Sequence, residues 1–199
     1  MEVGAYFHAR GWSVGTSSNY SVVLQRNPLR LLVTASGKDK GRLTEQDFVI
    51  VDESGRPVDA NHPKSSAETM LHVVAAQQPE VGAVLHTHSV WGTILSDLYF
   101  HRGHVPIEGY EMLKGLAGIT THQVQIKLEI FPNTQDIPAL AELLVERFAN
   151  PDDPLRHGYL IHRHGTYTWG RNLDEARRHV EILEFLFEVL GRRLSLTTL

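Results

Sequence analysis

The stretch Val81-Gly82-Ala83-Val84-Leu85-His86-Thr87-His88 decides how this chain folds and where its chemistry sits. A β-branched, apolar run with Gly82 near its start predicts a short buried strand. Alternate side chains of a strand share a face, so Val84, His86 and His88 point the same way. Two residues along a strand span about 7 Å, which lets a pair of imidazoles lean together and chelate one metal ion. Val90 to Tyr99 reads as helix, so the pair stands at the C-terminal end of its strand, where α/β proteins gather their sites.

An isolated His-x-His is as readily two hydrogen-bonding residues leaving a sheet. A second pair strengthens the metal reading. Tyr159-Leu160-Ile161-His162-Arg163-His164-Gly165 also reads as a strand ending in His-x-His, broken by the glycine. Two such ends make a pool of four imidazoles. A catalytic zinc takes three protein ligands and leaves a position open, whereas a structural zinc takes four. The chain has no cysteine. Disulfides are therefore excluded, and any zinc must use histidine and carboxylate.

Outward from these strands, Val3 to Gly11 reads as a short helix. A small-sided polar loop, Gly15 to Asn19, follows. Tyr20 to Gln25 and Arg30 to Thr34 read as strands joined at Asn27-Pro28. Thr44 begins a turn of helix, and Phe48 to Asp52 is a further strand. Lys64-Ser65-Ser66-Ala67-Glu68 opens a helix, with Ser65 or Ser66 as cap and Glu68 spaced as in a capping box. After His101 the chain reads as irregular up to Gly115. Gln123 to Phe131 alternates like a strand, Asp136 to Phe148 is helical, and Gly158 to Trp169 reads as a hairpin or bent pair. Asn172 to Leu194 is a long helix with Val180, Leu183, Phe187 and Leu190 on one stripe. Many strands among a few helices predict an α/β layered domain with a mixed, largely antiparallel sheet.

With 199 residues, 42% of them hydrophobic and 21% charged, the chain can build a real core as one domain over 1–199. A net charge of −4 gives no general footprint for nucleic acid. No apolar run reaches membrane-spanning length, and the N-terminus lacks the apolar core of a signal peptide. The expectation is a soluble, cytoplasmic protein without a membrane or nucleic-acid partner.

Three loops, Gly15 to Asn19, Thr34 to Lys38 and Lys64 to Ser66, offer hydroxyls, backbone N–H groups and glycine or lysine. Such nests bind phosphate, although any single loop is better explained by turn and cap chemistry, and it is the three together that point to an anion site. None has P-loop spacing, so a nucleotide is not indicated. Two carboxylates compete for acid–base work. Glu68 is otherwise a capping residue, and Glu111 is otherwise a solvated residue in an irregular stretch. His8, His62, His72, His101, His104, His122, His157 and His179 lack partner spacing and read as surface or core residues.

Taken in order, Asn19, Thr34-Ala35-Ser36-Gly37, Ser65-Ser66-Ala67-Glu68, His86-Thr87-His88-Ser89 and His164-Gly165 resemble the class II (zinc) aldolase/epimerase superfamily. The resemblance runs from about Ala9 to Leu190. Within it, Ala9-Arg10-Gly11-Trp12, Gly15 to Ser21, Thr34 to Lys40, Tyr110-Glu111-Met112-Leu113-Lys114-Gly115 and His164 to Gly170 look most like the dehydratases of methionine salvage. One departure is Ser18, which stands where a glycine is common.

The resemblance implies a three-layer α/β/α domain and a homotetramer with sites between neighbouring subunits. It implies one Zn2+ per subunit on His86, His88 and His164, with His162 a neighbour. It puts phosphate contacts among Asn19, Thr34, Ser36, Gly37, Ser65 and Ser66. The acid–base carboxylate falls on Glu111 in the dehydratases and on Glu68 in the aldolases. The expected activity is loss of water from a methylthio ketose 1-phosphate. An aldolase or 4-epimerase acting on another ketose phosphate is the alternative, and a non-catalytic interaction module on the same fold is the second.

Overall fold

The computed structural model describes residues 1–59, 61 and 63–197; His62, read above as a residue without a partner, lies outside them. The chain runs Glu2–Ala9 (α1), Asn19–Arg26 (β1), Leu29–Thr34 (β2), Phe48–Val51 (β3), Thr69–Ala76 (α2), Ala83–Thr87 (β4), Val90–Leu98 (α3) and His104–Glu108 (β5). It continues through Gln125–Phe131 (β6), Ile137–Ala149 (α4), Gly158–Ile161 (β7), Gly165–Gly170 (β8) and Leu173–Thr197 (α5). Eight strands form one sheet in the order β3-β2-β1-β4-β8-β7-β6-β5. Neighbours are antiparallel except β6 and β7, which are parallel. The sheet is mixed and largely antiparallel, as the alternating segments led one to expect.

The strand around His86 forms as expected, and all five residues of β4 are buried. Its alternation divides the core. Val84 packs with Tyr159, Ile161 and Tyr167 against Leu71 and Val74 of α2 and Leu140 and Leu144 of α4. On the same face Leu31, Val33, Val49 and Val51 pack on Val73 and Ala76 of α2. Ala83 and Leu85 face the other way, toward Phe7 of α1 and Ala176 and Val180 of α5. Further along that second face, Leu95 of α3 meets Leu128, Leu160, Leu183 and Phe187. Helices thus cover both faces, giving three layers. Each large apolar side chain so buried stabilises the fold by roughly 1.5–3 kcal/mol.

Three expectations need correction. The stretch after His101 is not wholly irregular: His104–Glu108 is an edge strand, β5, paired only with β6. Pro106 argues against a strand in sequence, but an edge tolerates the missing N–H. Secondly, α2 begins at Thr69, and Glu68 makes no capping bond of its own. The Ser66 hydroxyl accepts from the Glu68 N–H at 3.2 Å, while the Glu68 carboxylate turns away toward Asn19. The reciprocal half of a capping box is missing because the carboxylate has a stronger partner. Thirdly, β7 stops at Ile161. His162, Arg163 and His164 form a turn with Arg163 at φ 51°, so strand alternation does not apply to the second His-x-His.

Chain direction decides which end of the sheet each loop occupies. β4 runs toward His86. The antiparallel pairings place the starts of β1, β3 and β8 at that same end, together with the ends of β2 and β7. β6 runs with β7, and β5 runs against β6. The end of β5, and the 3-10 turn Glu111–Gly115 after it, therefore lie at the opposite end.

Candidate active site

Three of the four imidazoles converge. Ligand atoms of His86, His88 and His164 lie within 4.8 Å of one another, the one such group among the described residues. His86 and His88 approach because they leave the same face of β4, with their Nε2 atoms 2.8 Å apart. His164 arrives from the β7–β8 turn, its ring centroid 4.6 Å from that of His88 and 5.1 Å from that of His86. Gly165 makes this approach possible. A Cβ there would run into the Thr87 carbonyl and come within 2.9 Å of His86 Cε1.

The protonation states suit a cation. His86 Nδ1–H donates to the Thr166 carbonyl at 3.0 Å, which leaves Nε2 with a lone pair. Burial, reinforced by His88 and His164, holds the pKa of His86 well below its ordinary value. Burial and His164 bring His88 down to about 4. Uncharged imidazoles with converging lone pairs, beside a carboxylate, fit a divalent ion that accepts nitrogen and oxygen. His162 is not part of this group. Its Nε2 is 3.1 Å from Asp97 Oδ1, and its ring stacks on Phe100 at 3.9 Å.

Glu68 supplies the carboxylate. Its Oε1 is 3.4 Å from His164 Nε2, and its Oε2 is 3.6 Å from His86 Nε2. Oε2 also accepts from Asn19 Nδ2 at 2.9 Å. Asn19 is brought there by register, since it is the cross-strand partner of His86. Its Oδ1 accepts from His72 Nε2–H, and His72 Nδ1 in turn accepts the Ser21 hydroxyl at 2.8 Å. Burial lowers the His72 pKa to about 3, so it is a neutral link in this chain. Sequence reasoning treated His72 as an ordinary core residue. Its signal was its place four residues after Glu68, one helical turn away.

Thr87 of β4 faces the opposite layer and donates to Glu184 Oε1 at 3.2 Å. Glu184 lies on α5 and is buried, which pushes its pKa up to about 7. Tyr167, the cross-strand partner of His86, stacks on its ring at 4.0 Å.

The loops read as an anion nest are at this same end. A pocket of about 160 Å³ is lined by Thr16, Ser17, Ser18, Asn19, Ala35, Ser36, Gly37, Ser66, Glu68 and His88. Four of the six residues expected to bind phosphate, Asn19, Ser36, Gly37 and Ser66, therefore line one cavity with Glu68 and His88. Thr34 and Ser65 do not line it. The Thr34 hydroxyl is buried and accepts from the Tyr20 N–H at 3.1 Å, and Ser65 bridges to Ala35. Ser18, the departure noted above, holds the left-handed conformation (φ 72°) that a glycine adopts without strain.

Glu111 is elsewhere. Its carboxylate is 68% exposed, pairs with Lys114 and lies 3.4 Å from His122 Nδ1. The Lys114 ammonium holds its pKa below the ordinary carboxylate range. Being at the far end of the sheet, it does not meet the histidines of its own chain. A cavity of about 630 Å³ also lies at that end, beside Val81, Phe148, Trp169, His157 and His179.

A three-layer fold with a His-x-His strand end, a third histidine from a neighbouring turn and a polar nest beside them defines a recognisable class. Residues 1–190 match the class II aldolase and adducin N-terminal domain, and the chain belongs to that family. Among curated proteins it is 47% identical over 190 residues to the methylthioribulose-1-phosphate dehydratase of Marinobacter nauticus, covering 94% of this chain and 88% of that one. It is 46% identical over 193 residues to the protein of the same name from Methylococcus capsulatus, covering 96% and 91%. Among solved structures, L-fuculose-1-phosphate aldolase from Thermus thermophilus superposes with a TM-score of 0.74 at 22% identity, covering 100% of this chain and 94% of that one.

Proposed function

We propose that this protein is a zinc-dependent hydro-lyase of methionine salvage. It converts 5-methylthioribulose 1-phosphate to 2,3-diketo-5-methylthiopentyl 1-phosphate and water. The observation that carries this reading is the junction of His86, His88, His164 and Glu68 with a polar pocket, in a chain 47% identical to proteins named for that dehydration.

Zinc held by His86, His88 and His164 would supply Lewis acidity, which eases removal of a proton beside a carbonyl. The other tasks fall to the chain. Ser36, Gly37 and Ser66 receive the phosphate, which positions the rest of the ketose and lowers the entropic part of the barrier. Asn19 fixes the Glu68 carboxylate against the histidines, where it takes the proton from C3. The C3–H electron pair becomes the C2–C3 double bond while the C2 carbonyl pair moves onto its oxygen, giving an enediolate. Re-forming the C2 carbonyl expels the C4 hydroxyl and leaves a C3–C4 enol, which gains a proton at C4 to become the diketone. The departing C4 oxygen needs a proton to leave as water. We assign that proton to Glu111 supplied by a neighbouring copy of the chain, in a homotetramer with sites between subunits. Cytoplasmic residence belongs to the same reading, since a phosphorylated sugar does not cross membranes unaided.

An aldolase would begin with the same proton-shuttling groups and break the C3–C4 bond, and Glu68 beside the histidines is the carboxylate that the aldolase resemblance implies. One assay separates the two. The zinc-loaded protein incubated with 5-methylthioribulose 1-phosphate is expected to yield the diketone. A methylthio aldehyde plus a three-carbon ketose phosphate would establish cleavage instead, and no turnover with full metal content would favour an interaction module.

A further inference from the structure

Among the described residues Lys40 is the one buried lysine, at 1% exposure. An ammonium removed from water costs several kcal/mol unless other groups take over its hydration. Two groups do. Nζ donates to the Lys38 carbonyl at 2.7 Å and to the Thr16 carbonyl at 3.3 Å. Both are neutral, so they solvate the charge without cancelling it, and the nearby Asp39 offsets it only in part. Asp39 next to it in sequence is engaged elsewhere: its Oδ1 accepts from the Gly41 N–H at 2.8 Å and lies 3.7 Å from His8 Nδ1.

The positions of those two carbonyls matter more than their number. Thr16 belongs to the loop before β1, and Lys38 belongs to the loop after β2. These loops form two walls of the pocket beside Glu68, through Thr16, Ser17 and Ser18 on one side and Ala35, Ser36 and Gly37 on the other. Lys40 joins them from behind, without lining the pocket itself.

We propose that Lys40 is a positioning residue for the anionic end of the substrate. Its ammonium ties the two loops into one cradle and places a positive charge at the back of it. Burial lowers the pKa of Lys40 to about 8, against the raising effect of Asp39. A bound phosphate would oppose that loss of charge. The proposal rests on the reading of this pocket as the phosphate site, but not on which bond the enzyme breaks.

The test uses the zinc-loaded protein, K40M and K40Q, with inorganic phosphate as the probe and thermal midpoint as the readout. K40M removes both charge and tie. K40Q keeps an N–H donor for the carbonyls without the charge. Phosphate is expected to raise the wild-type midpoint and to leave those of both variants nearly unmoved. In turnover, KM should rise about tenfold or more in both while kcat changes far less, as for loss of a charge-assisted interaction. A merely structural lysine would lower the midpoint of the variants yet preserve the phosphate increment and KM, and that result overturns the proposal. If K40M does not fold, K40Q alone decides. Full phosphate affinity in K40Q would overturn the electrostatic part. A wild type indifferent to phosphate would overturn the phosphate reading of the pocket first, and this proposal with it.

Discussion

His162 and His164 are two residues apart and have opposite fates. One stacks on Phe100 and meets Asp97, and the other joins His86 and His88. His162→Ala should therefore retain bound zinc and lose only about 1 kcal/mol of stability, the worth of a partly exposed ion pair and a ring contact. His164→Ala should lose the metal and essentially all turnover. Metal content by elemental analysis checks both, and the reverse pattern would overturn the ligand assignment. At this scale the sequence is only partly legible. Spacing alone presents four equivalent imidazoles, as if strand alternation continued to His164. The strand stops at Ile161, and the turn that follows, with Arg163 at positive φ, carries His162 and His164. His72 is illegible for a different reason. Its partner Asn19 is 53 residues away, and only the β1–β4 pairing brings the two together.

Among the elements, α5 carries a feature that its apolar stripe conceals. Val180, Leu183 and Phe187 are readable as a buried face, and they are buried. Glu184 sits among them, and nothing in the pattern distinguishes a carboxyl group pointing at Thr87 from one pointing at water. Its pKa is raised in the folded protein, so the folded state holds its proton longer than the unfolded chain does. Stability is therefore expected to fall as pH rises from about 4.5 toward about 7, then level off. Glu184→Gln keeps an acceptor for Thr87 and has no proton to lose. Its advantage over the wild type should be small at pH 5 and grow toward pH 8, to on the order of 3 kcal/mol. Denaturant unfolding across that range measures it, and an advantage that does not change with pH would refute it. The same scale explains β5. An edge strand with Pro106 inside it carries the residues of a loop, and only its pairing with β6 makes it a strand.

For the molecule as a whole, the decisive fact is that the two candidate carboxylates occupy opposite ends of one sheet. Glu68 stands with the histidines, whereas Glu111 follows β5 at the far edge. If Glu111 takes part in the reaction, a second copy must present it. Glu111→Gln and His88→Ala should then each be inactive alone. Mixed one to one under conditions that let subunits exchange, they should recover activity in roughly a quarter of the sites, as expected for random assembly of a ring. A Glu111→Gln protein that is fully active on its own would instead leave Glu68 to perform both proton transfers. The layered architecture is legible from alternation and stripes, and the ordering of strands is not. Order depends on pairings between distant segments, which leave no local trace.

The pairing of β1, β4 and β8 has one more consequence. Asn19, His86 and Tyr167 stand in a single cross-strand row. Inserting or deleting one residue in the middle of β4 would rotate that row by half a turn, sending Thr87 toward the substrate and His86 into the layer beneath α5. Evolutionary change in length should therefore be confined to the connecting loops, and relatives that vary freely elsewhere should share an ungapped β4.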